Sequence, residues 1–114
     1  MDLELEAYIA EHSEKEPAIL AELDRATHLN VMRPRMLSGN LQGQFLKMLC
    51  EMLQARRVLE IGTYTGYAAI SMAMGIPAGG MVHTIDINDE LEPGRYVEGY
   101  WTTSALPHAI LEQP

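Results

Sequence analysis

The residues of this sequence whose types and spacing could serve chemistry are two glycines and two acids. Glu60, Gly62 and Gly66 form a Glu-x-Gly-x-x-x-Gly pattern, and Asp86 follows Gly66 by twenty residues. Gly62 ends a short apolar run, where glycine lets the chain turn sharply and lets a ligand approach the backbone. Gly66 opens a predicted helix, whose free N–H groups favour a carboxylate or phosphate. A carboxylate at position 86, at the end of the next predicted strand, can accept hydrogen bonds from the ribose hydroxyls of a nucleoside.

This pattern differs from the dinucleotide-binding pattern G-x-G-x-x-G, because it has one glycine fewer and a different spacing. A pyrophosphate needs a closer approach to the backbone, so a nucleoside without phosphate, such as S-adenosylmethionine (SAM), fits the loop better. Short glycine motifs are weak signals. Two alternatives therefore stay open on the residues alone: a plain strand-to-helix turn, and a degenerate nicotinamide-dinucleotide loop.

The elements that position this loop are predicted from the spacing of apolar residues. Four helices are expected: one over 3–12, one that begins at Pro17 and ends before a loop at 30–40, one over 41–55 and one over 66–74. Strands are expected over 57–62 and 81–86. A strand, a helix and a strand in this order form a βαβ unit with a right-handed crossover, so the fold class is α/β. Aromatic and β-branched residues favour a further strand over 96–103, whereas 106–114 shows no clear period.

The same patterns predict what is buried. The strand over 57–62 is expected to be covered on both faces and paired on both edges, as in the middle of a parallel sheet. The third helix is expected to bury five apolar residues, which are Phe45, Leu46, Leu49, Met52 and Leu53. Cys50 is predicted to be a small core residue, and His83 is predicted to pack as part of its strand. The helical methionines read as core filler, and they are Met48, Met52, Met72 and Met74.

Composition narrows the function classes. With 114 residues the chain suits one compact domain, and its net charge of −8 argues against non-specific nucleic-acid binding. No apolar run approaches the length of a membrane span, and the acidic N-terminus does not resemble a secretory signal. The single cysteine and the four scattered histidines form no zinc spacing, so no metal site is predicted. A reducing cytoplasm is the expected location.

Three segments resemble one known family in the right order. The run Val58–Tyr67 closely resembles motif I of the catechol and caffeoyl-CoA O-methyltransferases. Upstream, Arg35–Leu46 resembles the loop and helix that precede that motif, and downstream Val82–Asp86 resembles its ribose-binding strand. The resemblance implies a Rossmann-like methyltransferase fold that uses SAM.

The resemblance also implies a cofactor site of eight residues: Met36, Ser38, Glu60, Gly62, Tyr64, Gly66, Tyr67 and Asp86. In it, Met36 falls near the methyl-sulfonium region, Ser38 at the amino-acid end of the cofactor, and Asp86 at the ribose. The remaining positions belong to the loop and the start of the following helix. Ala68 stands where the family often has a serine, so one hydrogen bond to the cofactor carboxylate is not expected here.

By this resemblance the chain is one partial methyltransferase domain, 1–114. It divides into a helical part, 1–56, a cofactor-binding βαβ unit, 57–88, and an atypical tail, 89–114. The later half of the family's sheet supplies an adenine-binding segment, an aspartate that binds a divalent metal, Mg²⁺, and a further Asp-Asn pair, and nothing in 87–114 matches them. The general-base lysine of some members has no counterpart either, so the catalytic residues stay unassigned.

The expected function is therefore transfer of a methyl group from SAM to a hydroxyl of a small, catechol-like acceptor, with this chain inactive alone. A cofactor-binding or partner module without catalysis is the first alternative, and a nicotinamide-dinucleotide-binding protein is the second. Nucleic acid and membrane are not expected partners. A homodimer is expected through the open edge of strand 57–62, with pairing by the tail strand as the competing solution.

Overall fold

A computed structural model describes residues 2–30, 37–62, 64–85, 101–103 and 108–112 of the chain. In chain order the elements are α1 (Leu3–Glu11), α2 (Ala18–Asn30), α3 (Gly39–Leu53), β1 (Arg57–Ile61), α4 (Tyr67–Met74), β2 (Met81–Ile85), β3 (Trp101–Thr103) and β4 (His108–Glu112). The predicted helices and the first two strands therefore form where the apolar spacing indicated.

The sheet has the strand order β1-β2-β4-β3. β1 and β2 are parallel and in register from Arg57 opposite Met81 to Ile61 opposite Ile85, with α4 as the crossover between them. β4 lies antiparallel to β2, and β3 lies antiparallel to β4. The unpatterned segment 106–114 thus contains a strand that the sequence did not indicate.

One face of the β1–β2 pair packs against α4. Side chains alternate across a strand, so Val58 and its partner Val82 lie on the same face, where Val82 is completely buried in the core with α4. On the opposite face Leu59 is 65 % exposed and Ile61 is 84 % exposed. The expectation that β1 is covered on both faces was wrong. Within the described residues it is an edge strand that pairs with β2 alone.

α3 and α4 approach each other closely through glycine and small residues. A Cβ added at Gly43 would lie 2.6 Å from Ser71 Oγ and 3.0 Å from Tyr67 Cε1, so a larger residue does not fit without a shift. Gly43 and Cys50 are the buried residues of α3. The predicted buried face was therefore largely wrong: Phe45 is 53 % exposed, and Met52 and Leu53 are more exposed still. Small residues, which permit close helix contact, outweighed the larger apolar stripe.

The core lies between α2, α3, α4 and the covered face of the sheet. α2 contributes Leu20 and Leu23, and α4 contributes Ile70 and Met72 among other buried residues. Cys50 is buried, as the sequence indicated, and burial together with the charge of Glu51 raises the pKa of its thiol. Of the methionines expected in the core, Met72 is buried and Met74 is half-buried, whereas Met48 and Met52 are exposed.

The tail joins the sheet at β2 and not at β1. β3 covers the end of the predicted strand 96–103, whose earlier residues lie outside the described ones. The expected pairing of the tail strand with the open edge of β1 is not what the structure has: β3 pairs with β4, and β4 pairs with β2. Across the described ranges, each helix is too short or too polar to cross a bilayer.

Candidate functional site

The turn from β1 into α4 has an unusual backbone. Gly62, Tyr64 and Gly66 have φ values of 96°, 52° and 97°, all in the left-handed region. Glycine adopts this region freely, whereas for Tyr64 it costs roughly 1–2 kcal/mol. The turn begins where Gly62 N donates a hydrogen bond of 2.7 Å to Ile85 O, which continues the β1–β2 ladder by one residue. The strand ends therefore fix where the turn starts.

Two features of this turn could serve a ligand at its backbone. A Cβ built at Gly62 would meet no atom of the described residues within 4 Å, so these residues leave open space beside the glycine. Gly66, the residue that caps α4, has no side chain to bond the first amides of the helix, and the first helical bond is Ile70 N to Gly66 O at 2.9 Å. The amides before Ile70 have no acceptor within the helix and can bind a carboxylate. This arrangement fits a nucleoside with an amino-acid end, such as SAM.

Glu60 lies on the covered face of the sheet, two residues before Gly62. Its carboxylate Oε1 accepts a hydrogen bond of 2.7 Å from Thr84 Oγ1, and Thr84 is completely buried. The two residues are register partners in β1 and β2, which explains why their side chains meet. Glu60 is thereby fixed in orientation at the base of the turn.

Tyr67, predicted as a cofactor residue, is 2 % exposed, and its hydroxyl donates a hydrogen bond to Glu16, in the segment between α1 and α2. Burial first, and the Glu16 carboxylate second, raise the pKa of this phenol. The side chain thus packs α4 against the N-terminal segment. Any contact of Tyr67 with a cofactor would come from its backbone.

The remaining predicted positions are placed less directly. Ser38 immediately precedes α3, is half-buried and caps no amide with its side chain. Met36 and Asp86 lie outside the described residues. Ile85, which precedes Asp86, is opposite Ile61 at the carboxyl ends of the two parallel strands. The structure therefore brings together Glu60, Gly62, Tyr64 and Gly66 along β1 and its turn.

Sequence reasoning missed a polar contact behind the turn. Thr27 of α2 and Thr65 of the turn are both buried, and their hydroxyl oxygens lie 3.0 Å apart. A signal was available, since Leu20, Leu23 and Thr27 follow helical spacing and place a threonine on the buried stripe of α2. Its apolar neighbour Ala26 is only half-buried.

The described part of the chain contains no group of three His, Cys, Asp or Glu side chains that could hold a metal ion. Two described acids near the turn have other partners: Glu60 accepts a hydrogen bond from Thr84, and Glu16 accepts one from Tyr67. These residues do not fit a metal centre of the kind that the resemblance implies.

Comparison with known proteins identifies relatives of this chain. Residues 10–110 match the model of a family described as O-methyltransferase. The caffeoyl-CoA O-methyltransferase of Zinnia elegans is 38 % identical over 85 residues, which cover 73 % of this chain and 34 % of that protein.

Solved structures agree with the fold. An O-methyltransferase from Bacillus cereus, in complex with SAH, has a TM-score of 0.63 at 28 % identity, covering 77 % of this chain and 40 % of its own. The O-methyltransferase TomG from Streptomyces achromogenes, in complex with SAM, has a TM-score of 0.68 at 31 % identity, covering 77 % and 39 %. The chain thus spans about a third to two-fifths of the length of these relatives. Its fold is the Rossmann-like methyltransferase fold, and the chain belongs to the O-methyltransferase family.

Proposed function

We propose that this chain binds SAM at the turn between β1 and α4 and serves methyl transfer to a hydroxyl of a small, catechol-like acceptor. The observation that carries the proposal is the open space at Gly62 beside the uncapped start of α4. Two structural relatives named above are described with SAH or SAM bound, which supports the same ligand class here. SAM supplies an activated methyl group when bound.

The residues of the chain would divide the binding task. Amides at the start of α4 would hold the carboxylate of the ligand, and Ser38 would contact its amino-acid end. Asp86 would accept hydrogen bonds from the ribose hydroxyls, and Met36 would lie near the methyl-sulfonium group. Tyr64 would line the ligand from within the turn. Such contacts hold the methyl carbon in place for in-line attack by an acceptor hydroxyl.

The experiment that tests binding is isothermal titration calorimetry with S-adenosylhomocysteine (SAH), with NAD as the competitor. We expect SAH to bind and NAD neither to bind nor to displace it. Asp86→Ala is expected to weaken SAH binding by about 1–3 kcal/mol, because ribose hydroxyls would lose their acceptor. Unchanged affinity in that variant would remove the ribose assignment, and tight NAD binding would favour the nicotinamide alternative.

Catalysis is a separate question from binding. We propose that the 114-residue chain alone transfers no methyl group, since the resemblance assigns the Mg²⁺ ligands and the general base to parts of the family fold that this sequence does not match. The experiment is an assay of homogeneous protein with SAM, a catechol and Mg²⁺. Methylation that depends on Mg²⁺ would contradict the proposal, and SAH binding without turnover would favour a cofactor-binding module.

A further inference from the structure

The buried hydroxyl pair between α2 and the turn joins residues that are 38 positions apart in the sequence. Thr27 Oγ1 lies 3.0 Å from Thr65 Oγ1 and 2.7 Å from Leu23 O of its own helix. A carbonyl can only accept a hydrogen bond, and a hydroxyl has one proton. If Thr27 donates to Leu23 O, then Thr65 donates to Thr27. Both hydroxyls are then satisfied, and the Thr65 side chain is held to α2.

Thr65 stands between the two left-handed residues that precede α4. Tyr64 before it and Gly66 after it have φ values of 52° and 97°. A tyrosine keeps such a conformation only where its surroundings hold it there. The anchored side chain of Thr65 is one contact that does so, because it fixes the peptide units on both sides. The helix that provides this contact lies outside the glycine motif.

A second contact holds the same short segment from the N-terminal side. Glu16, just before α2, accepts the hydrogen bond of the Tyr67 hydroxyl, two residues after Thr65. The segment 65–67 is thus fixed at both ends by residues from 16–27. Both contacts are buried or part-buried, so water competes with them little.

We propose that Thr27 is a positioning residue for the cofactor turn and that α2 sets the geometry of SAM binding through the Thr27–Thr65 hydroxyl pair. The inference rests on the proposed function for its ligand. It assigns a role in affinity to a residue that does not touch the ligand. The hydroxyl of Thr27, more than its shape, is what the turn requires.

The test compares four variants by calorimetry with SAH. Thr27→Val keeps the shape and loses the hydroxyl, so we expect affinity to fall about fivefold or more, whereas Thr27→Ser keeps the hydroxyl and should stay within about twofold. Thr65→Val should resemble Thr27→Val. The double variant should be no weaker than the weaker single variant, because the two residues act as one unit. Fully additive losses would overturn the proposal.

Leu20→Val is the matched control. Leu20 lies on the same buried stripe of α2, so the change loosens packing but leaves the hydroxyl pair intact. We expect folded Leu20→Val to bind SAH as the unaltered chain does. Equal weakening in Leu20→Val and Thr27→Val would show that Thr27 only stabilises the helix and would overturn the proposal.

Hydrogen exchange of the unliganded chain gives a readout that needs no SAH. Thr27→Val should speed amide exchange at 64–67 more than Leu20→Val does, and Thr27→Ser should not. If the unaltered chain does not bind SAH, the proposed function fails, and this exchange pattern alone decides whether Thr27 positions the turn. Identical exchange at 64–67 in all three variants would refute the positioning role.

Discussion

A substitution at Gly62 has two separate effects: it strains the backbone, and it places a side chain in the space where a ligand could bind. The φ value of 96° strains any other residue, while a Cβ would meet no atom within 4 Å in the part of the chain that the structure describes. Gly79, in the turn before β2, combines a φ value of 84° with the same lack of neighbours. Substitution of either glycine should therefore cost a similar amount of stability, although the two lie in different turns.

This pair gives a controlled test of the ligand's location. We expect Gly62→Ala and Gly79→Ala to lose similar stability, roughly 1 kcal/mol, because both place a side chain in the left-handed region. Only Gly62→Ala should weaken SAH binding, about tenfold or more, and Gly62→Val should abolish it. Calorimetry and urea unfolding of both variants measure the two effects. Full binding by Gly62→Val would mean that the turn serves only to connect β1 with α4.

The buried phenol of Tyr67 should make the stability of the protein depend on pH in the alkaline range. Its pKa is raised by burial and by Glu16, above the ordinary tyrosine value of about 10. The unfolded phenol ionises above that pH while the folded one keeps its proton, so the stability it contributes is complete below about pH 10 and is lost as the pH rises further.

The measurement is urea unfolding of the unaltered chain and of Tyr67→Phe between pH 8 and 11. The free energy of unfolding should fall with pH more steeply in the unaltered chain, by up to about 1.4 kcal/mol per pH unit. Tyr8→Phe, at an exposed site on α1, is the control and should keep the steeper slope. Parallel curves for all three proteins would contradict the assignment.

At the scale of elements, the contact between α3 and α4 depends on Gly43. Gly43→Ala places a methyl group 2.6 Å from Ser71 Oγ, and overpacking of this kind costs about 1–3 kcal/mol. Alanine's better helix propensity returns up to about 1 kcal/mol, so we expect a net loss of stability of about 1–2 kcal/mol. Urea unfolding measures it.

The matched variant is Ser71→Ala, which removes the atom that would lie nearest to the new methyl group. Ser71→Ala alone loses the hydrogen bond from Ser71 Oγ to Tyr67 O and should be mildly destabilised. The double variant should be more stable than the sum of the two single losses predicts. If the stability losses of the two single variants simply add in the double variant, then α3 and α4 move apart in Gly43→Ala and the new methyl group does not contact Ser71.

The sequence predicted the positions of the helices and strands better than it predicted which faces of them are buried. Apolar periodicity located α3, yet the helix carries two candidate faces: a large stripe through Phe45 and Met52, and a small one through Gly43 and Cys50. Periodicity cannot choose between them, because the choice depends on how close α4 comes. In the same way the apolar run of β1 suggested a strand covered on both faces, but coverage depends on elements elsewhere in the fold.

The site was predictable where it is local and not where it is tertiary. Glu60, Gly62 and Gly66 could be found because the turn chemistry lies within seven consecutive residues. The bonds from Thr27 to Thr65 and from Glu16 to Tyr67 join distant segments. Only the packing of α2 and of its preceding segment against the start of α4 creates them. All eight predicted cofactor residues stay predictions as ligand contacts, and Met36 and Asp86 also lie outside the described residues.

At the scale of the whole molecule, the uncovered face and free edge of β1 favour self-association. Leu59 and Ile61 are exposed on a strand whose second edge has no partner within the described residues. Exposed apolar edges promote pairing between chains, and a two-fold contact would make the edge self-complementary. We therefore expect a homodimer by multi-angle light scattering at micromolar concentration.

Leu59→Lys tests this arrangement, because a lysine on an edge strand opposes edge-to-edge pairing. The variant should shift the protein toward monomer, whereas Leu3→Lys, at a leucine that is 80 % exposed on α1, should not. A soluble monomer of the unaltered chain, also after removal of the residues beyond Pro93, would rule out dimerisation through β1 and any need for the tail to cover the sheet.

The pairing of β1 with β2 also has a consequence for the order of folding. Arg57 and Met81 are register partners 24 residues apart, whereas Trp101 and Leu111, in β3 and β4, are only ten apart. Closing a longer loop costs more chain entropy, and non-local pairing slows folding. The tail hairpin and the helices can therefore form before the parallel pair, which requires α4 to dock first. We therefore expect the Gly62 turn to be completed late in folding, so that a ligand bound there slows unfolding far more than it speeds folding.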